Sequence, residues 1–141
     1  MNIFILDEDP VIAARMLCDR HIPKMIVESA QMLSTAHRLL DGSPTKRRSR
    51  SGKTIQTYYE FKDARDELYY TAVHKHHPCT TWTMASIENY NWHYGHFAEM
   101  SKEFTFRRQK KTCNMGKNRL NTCCSTDKYT EDQKNRVCTS N

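Results

Sequence analysis

The sequence predicts a mainly α protein, a single-domain helical bundle with a short extended segment at its N-terminus and a disordered C-terminal tail. Three observations carry that expectation. Apolar residues recur at helical spacing across residues 18–40, large aromatic residues run through 82–108, and beyond Thr112 the residues that build a core disappear. Residues 113–141 hold four of the six cysteines (Cys113, Cys123, Cys124, Cys138), one leucine and one valine, and no Ile, Phe or Trp. Such a stretch cannot bury enough apolar surface to offset the entropy of ordering it. The domain is therefore placed at residues 1–112, which is enough chain for one modest core. Leu, Ile, Val and Phe together make only 23 of the 141 residues, so Met and aromatic side chains must supply much of the burial.

Along the chain, Ile3-Phe4-Ile5-Leu6 reads as an extended anchor, and Asp7 or Asp9 ahead of Pro10 is a helix-start signal for a short helix over Val11–Leu17. The strongest helix covers Cys18–Leu40. Ile22, Met25, Ile26, Ser29, Leu33, Ala36 and Leu40 fall on one side, Lys24, Glu28, Gln31, Thr35 and Arg38 form a polar stripe, and Asp41-Gly42 supplies the stop. Pro23 is compatible only with the first turn of such a helix, which puts a break near Asp19–Ile22. Residues 43–53 read as a basic loop, set between Gly42-Ser43-Pro44 and Ser51-Gly52. Thr54–Phe61 is rich in Thr, Tyr and Ile and reads as extended; Asp63–Tyr70 reads as a short helix. After His74-Lys75-His76-His77-Pro78, Thr80 or Thr81 caps a further long helix running from Trp82 to about Arg108.

The net charge of +6 is concentrated in two places. Lys46, Arg47, Arg48, Arg50 and Lys53 form one cluster; Arg107, Arg108, Lys110 and Lys111 form the other. Clusters of this kind suit a polyanion, although solvated loops and helix ends also carry them. No apolar run approaches the length of a membrane span, and the opening residues do not read as a signal peptide, so an intracellular soluble protein is expected. Cys18 and Cys79 are too few for a disulfide framework, and the cysteine spacing in the tail matches no zinc pattern. Four scattered glycines exclude a phosphate-cradling loop.

Asp19, His21 and Glu28 are the candidate chemical residues. His21 and Glu28 share a helix face two turns, or about 10 Å, apart, so they would touch different parts of a substrate. The plainer alternative makes Asp19 a cap, Glu28 a surface charge paired with a neighbouring base, and His21 a half-buried side chain. His74, His76, His77 and Cys79 lack the spacing of a dedicated metal site, so no metal and no cofactor is expected. Tyr90, Trp92, His93, Tyr94, His96 and Phe97 ring a helix. Their aromatic faces suit base stacking, while packing into the core is their commoner role.

Met1-Asn2-Ile3-Phe4-Ile5-Leu6-Asp7, the run Cys18-Asp19-Arg20-His21 through Lys24-Met25, Glu28, Gln31 and Leu33-Ser34-Thr35-Ala36-His37-Arg38, and then His77-Pro78, Trp82, Ser86, Asn89-Tyr90 and Trp92 resemble a family of small, largely uncharacterised bacteriophage proteins. More remotely, Asp19, His21 and Glu28, with His77-Pro78 and the Glu103 to Arg107 helix end, are similar to the pyrimidine-dimer DNA glycosylases of the phage endonuclease V type. That resemblance implies a DNA glycosylase and abasic-site lyase acting on damaged or modified double-stranded DNA in the cytoplasm of an infected bacterium. It assigns the N-terminal amine of Met1 as nucleophile, Glu28 as the group that stabilises a cationic sugar, and His21 as a phosphate or substrate contact. Lys24, Arg38, Lys46, Arg47, Arg48, Arg50, Lys53, His77, Arg107 and Arg108 are then the DNA-binding residues. Two departures from the family pattern stand out: Asn2 leaves Met1 in place beside the amine, and no arginine flanks Glu28. A non-catalytic DNA-binding or host-takeover protein, and a nucleotide- or base-modifying enzyme, remain as alternatives.

The tail has its own explanation. Read one nucleotide later, Met115 (ATG) followed by the G of Gly116 becomes TGG, tryptophan, within a text such as T-W-E-K-I. Cys123-Cys124 and the residues after them likewise permit A-A-P and, one codon further on, T-N-I-P-K. Members of the phage family continue through a Trp-containing helix into an A-P-x-N-I-P segment, so the tail is expected to be an out-of-frame translation. The coding DNA across codons 108–141 should accordingly be open in the shifted frame, and proteolysis should trim the chain to near Lys111. Early stop codons in that frame, or a protease-resistant tail, would sink the idea.

Overall fold

A computed structural model describes residues 1–49 and 51–108. Arg50, Lys110, Lys111 and the tail expected to be disordered lie outside the described residues. The fold is mainly α, with helices α1 (Pro10–Met16), α2 (His21–Asp41), α3 (Arg65–Leu68), α4 (Pro78–Ala85) and α5 (Ile87–Arg108), and one antiparallel hairpin, β1 (Ser43–Arg48) with β2 (Ile55–Glu60). Among the described residues no helix is long and apolar enough to cross a membrane.

Local chemistry sets most of the boundaries. Asp9 caps α1 by accepting from the Val11 N–H at 2.8 Å, with Pro10 at the first helical position, where no N–H is required. The chain turns at Cys18, whose carbonyl accepts from the N–H groups of His21 and Ile22. Pro23 then falls within the first turn of α2. At the far end the Gly42 N–H donates to the Arg38 carbonyl at 3.0 Å, so tightly that a Cβ at position 42 would lie 2.4 Å from that oxygen. Only glycine fits this stop.

The helix expected from Trp82 to Arg108 is two helices. Ser86 is extended (φ −153, ψ 161); its Oγ accepts from the Asn89 N–H at 3.1 Å and its carbonyl accepts from the Tyr90 N–H, making it the start signal of α5. The Asn89 side-chain amide donates to the Trp82 carbonyl at 2.9 Å, closing the corner. His77, rather than Thr80 or Thr81, caps α4: its Nδ1 accepts from the Cys79 N–H at 3.2 Å. Residues 43–48, expected as loop, form a strand paired from Ser43↔Glu60 to Arg48↔Ile55, so the fold is not a pure helical bundle. Every residue of β1 is exposed, which removes the alternation of apolar and polar residues by which a strand is recognised in sequence.

The core lies where α1, α2 and α5 meet. Ala14, Leu17, Ile22, Met25, Ile26, Ala30 and Leu33 pack against Phe97, Met100 and Phe104, with Phe4, Tyr70, Tyr90 and Tyr94 closing its edges. Two arginines expected to bind DNA are structural. Arg38 is 3% exposed, and its guanidinium uses all five N–H donors: Nε to the Tyr70 carbonyl, Nη1 to the Tyr59 carbonyl and Asp66 Oδ1, Nη2 to the Asp66 and Tyr69 carbonyls, all within 3.0 Å. That hydrogen bond from Arg38 holds the Asp66 carboxyl below the usual carboxylate range, and the Phe61 N–H adds to the effect. Arg107 donates to the carbonyls of Leu17 and Arg15 and to the carboxylates of Asp19 and Glu103, stapling the end of α5 to the turn between α1 and α2.

Between α4 and α5 two imidazoles are buried. His93 Nδ1 lies 2.9 Å from the Thr83 hydroxyl, and His96 stacks on Trp92 with centroids 5.0 Å apart. His93 Nε2 and both nitrogens of His96 have no hydrogen-bond partner among the described residues. Burial pushes His96 down to about 4, and burial together with its neighbour His96 pushes His93 down to about 3.

Two outcomes follow from this packing. Arg38→Lys keeps the charge but offers three donors in place of a planar fork of five, so it should cost about 3–5 kcal/mol in chemical denaturation; a loss below about 1 kcal/mol would show that the carbonyls reach water. For the histidines, an unfolded imidazole takes up its proton near 6.5, whereas the folded ones stay neutral to about 4 and 3. Stability is therefore full above pH 6.5 and declines as the pH falls from there towards 4, by about 1.4 kcal/mol per pH unit for each histidine. His96→Phe, which keeps an aromatic face on Trp92, should halve that slope in urea titrations. An equal slope in both proteins would place the proton uptake elsewhere.

Candidate active site

The N-terminal segment lies along the first half of α2 and brings together groups that are far apart in sequence. Glu28, on the polar face of α2, points one carboxylate oxygen at the start of the chain. Its Oε2 accepts from the backbone N–H of Asn2 at 3.0 Å and lies 3.6 Å from the α-amine of Met1. The other oxygen, Oε1, is 3.6 Å from Lys24 Nζ, one turn earlier on the same helix. The Glu28 side chain is only 14% exposed, while that of Lys24 is 71% exposed. Two amines of different kinds therefore flank one shielded carboxylate.

The segment is held there by packing as well as by hydrogen bonds. Phe4 joins the edge of the core and stacks on His21 with ring centroids 5.6 Å apart and planes 16° from parallel. The Met1 side chain is 6% exposed, so it is packed on the protein rather than lying free over its amine. His21, at the start of α2, is exposed and leaves its ring edge available to a ligand. The extended segment that opens the chain thus does more than anchor it: its backbone and α-amine complete the polar face of α2.

The remaining site expectations are distributed differently. Asp19, in the Asp-x-His spacing, pairs with Arg107 at 2.9 Å; it makes no cap for α2, whose N-terminus has no side-chain cap. His77 is engaged as the cap of α4. Arg38 and Arg107 are committed to the internal carbonyls and carboxylates already described. Arg108 is exposed, with one nitrogen 3.3 Å from the Asp19 carbonyl and its guanidinium over the Phe104 ring. Lys46, Arg47, Arg48 and Lys53 are exposed on the hairpin and its turn. Phe4 and the Asn2 N–H are the site components that sequence reasoning missed, and the only sequence signal for either is the apolar opening of the chain.

Chemically, a neutral amine next to a carboxylate can add to an electrophilic carbon while the carboxylate accepts the proton that must leave. The carboxylate can also stabilise positive charge developing on the same carbon. No group of three or more His, Cys, Asp or Glu residues able to hold a metal occurs among the described residues. No protein-family model, curated protein or solved structure matches this chain.

Proposed function

We propose that the chain is a DNA glycosylase and abasic-site lyase of bacteriophage type that works through its N-terminal amine. One observation carries the proposal: the α-amine of Met1 lies 3.6 Å from the shielded carboxylate of Glu28 on α2. The Asp19, His21 and Glu28 spacing and its resemblance to the phage endonuclease V type support it from the side of the sequence. The amine, with its proton passed to Glu28, attacks C1′ of a flipped nucleotide. The C1′–base bond breaks and the base leaves with a second proton from the amine; Glu28 then gives its proton to O4′ as the C1′–O4′ bond breaks, which opens the sugar ring and leaves an iminium joining the amine nitrogen to C1′. Loss of a C2′ proton to Glu28 then expels the 3′ phosphate by β-elimination, and water releases the sugar and restores the amine. His21, two turns from Glu28 on the same face, is placed to contact the adjoining phosphate.

A second reading, a DNA-binding protein without catalysis, draws on a separate observation: Lys46, Arg48 and Lys53 are exposed and have no carboxylate partner among the described residues. Borohydride trapping separates the two. The lyase should yield a covalent adduct with duplex DNA carrying an abasic site, and peptide mapping should place it on residue 1. Glu28→Gln keeps the shape but loses the charge, so strand cleavage should fall by about two orders of magnitude while binding changes little. Lys24→Met should still trap. An adduct on Lys24 would overturn the assignment of the nucleophile, and no adduct at all would leave the binding reading in front.

A further inference from the structure

We propose that the hairpin is an arm that lies in the major groove of duplex DNA with one face only, the face of Lys46 and Arg48, while Arg47 on the other face braces the arm and touches no phosphate. This deepens the DNA-processing reading and rests on it. The strand register divides the cations. Lys46↔Thr57 and Arg48↔Ile55 are opposed pairs on one face; Ser43↔Glu60, Thr45↔Tyr58 and Arg47↔Gln56 are on the other. On this second face the Arg47 guanidinium meets Glu60 at 2.8 Å and lies 4.3 Å over the Tyr58 ring, and the Tyr58 hydroxyl reaches Gln56 at 3.3 Å. Its charge is compensated and its position is held.

The first face has no such compensation. Lys46 and Arg48 have no carboxylate partner among the described residues, and Ile55, directly opposite Arg48 on the same face, is 72% exposed. Lys53 adds a further exposed cation at the turn, where Gly52 takes the left-handed φ of 71° that the tight reversal demands. All of β1 and the first half of β2 are exposed, so the ribbon projects beyond the body, anchored at its base through the Tyr59 carbonyl on Arg38 and the Phe61 N–H on Asp66. A two-stranded ribbon alone is marginal in water. Here its exposed end presents uncompensated cations and one β-branched apolar side chain, a surface complementary to phosphates and to a thymine methyl. Six residues of strand span about 20 Å, and a groove about 12 Å wide admits a two-stranded ribbon where one about 6 Å wide does not.

The test compares binding of a labelled 20-base-pair duplex across a salt series by fluorescence anisotropy. Lys46→Ala with Arg48→Ala should flatten the slope of log affinity against log salt by about two units, at about 0.9 for each phosphate no longer neutralised. Arg47→Gln, which removes the charge but keeps a hydrogen-bonding reach to Glu60, should change it by less than about half a unit. Methyl green, a major-groove ligand, should compete, and netropsin, a minor-groove ligand, should not. An Arg47→Gln effect as large as that of the double variant overturns the proposal, as do an unchanged slope in the double variant, displacement by netropsin alone, or equal affinity for the single strand. Borohydride trapping on abasic DNA runs in parallel. A wild-type protein that traps nothing yet shows the predicted slopes supports the arm and removes the lyase reading; trapping with an unchanged slope does the reverse.

Discussion

The buried guanidinium of Arg38 is the interaction on which the rest of this structure depends. Residues 59–70 end the hairpin and cross to the second half of the molecule with little regular structure, so their backbone carbonyls need partners. Arg38 satisfies four of them, those of Tyr59, Asp66, Tyr69 and Tyr70, and pairs with the Asp66 carboxylate as well. A single planar fork with five fixed donors can do this; a flexible ammonium cannot. Because Arg38 is on α2 and 3% exposed, the hairpin and the segment after it are tied to the same helix that carries Glu28.

That arrangement makes α2 the axis of the functional proposal. Glu28 lies in its first half and the hairpin leaves from its C-terminal end, 13 residues or about 20 Å further along the helix. One rigid element thus holds a shielded carboxylate with the N-terminal amine near one end and an exposed basic ribbon at the other. Arg107 serves the opposite side in the same manner, fastening the last turn of α5 to Leu17, Arg15 and Asp19. Both arginines show how a protein with few aliphatic residues holds irregular backbone in place: charge-assisted hydrogen bonds to carbonyls stand where a larger protein would use apolar packing.

Much of the candidate site was legible in the chain, and the reason differs from residue to residue. His21 and Glu28 fall on one face of α2 because the helical period alone puts them there. The approach of Met1 to Glu28 came from family resemblance, since no periodicity connects residues 1 and 28. Lys24 was legible as the i,i+4 neighbour of Glu28 but was assigned to phosphate rather than to that carboxylate. Arg38 and Arg107 are spent on carbonyls and carboxylates within the fold, and a sequence does not distinguish an arginine so committed from one left to solvent. Of the hairpin, the extended Thr54–Phe61 segment was legible from its Thr, Tyr and Ile content, whereas β1, exposed on both faces, has no apolar alternation to betray it.

By itself the sequence determined whatever is set within a few residues. The Asp9-Pro10 start of α1, the Pro23 first turn and Gly42 stop of α2, and the apolar stripe that becomes the core all arise from local sterics and from the hydrophobic period. The Ser86 start of α5 was also written there, though hidden beneath a run of aromatic residues. Only the tertiary structure decided which charges face water. Arg38 meets carbonyls 21 to 32 residues away, Arg107 meets groups 88 to 92 residues away, and the Asn2 N–H, beside the Met1 amine, meets Glu28 26 residues away. The physical reason is that a polar side chain takes whatever partner the fold delivers, and a fold delivers partners by packing in space rather than by order along the chain.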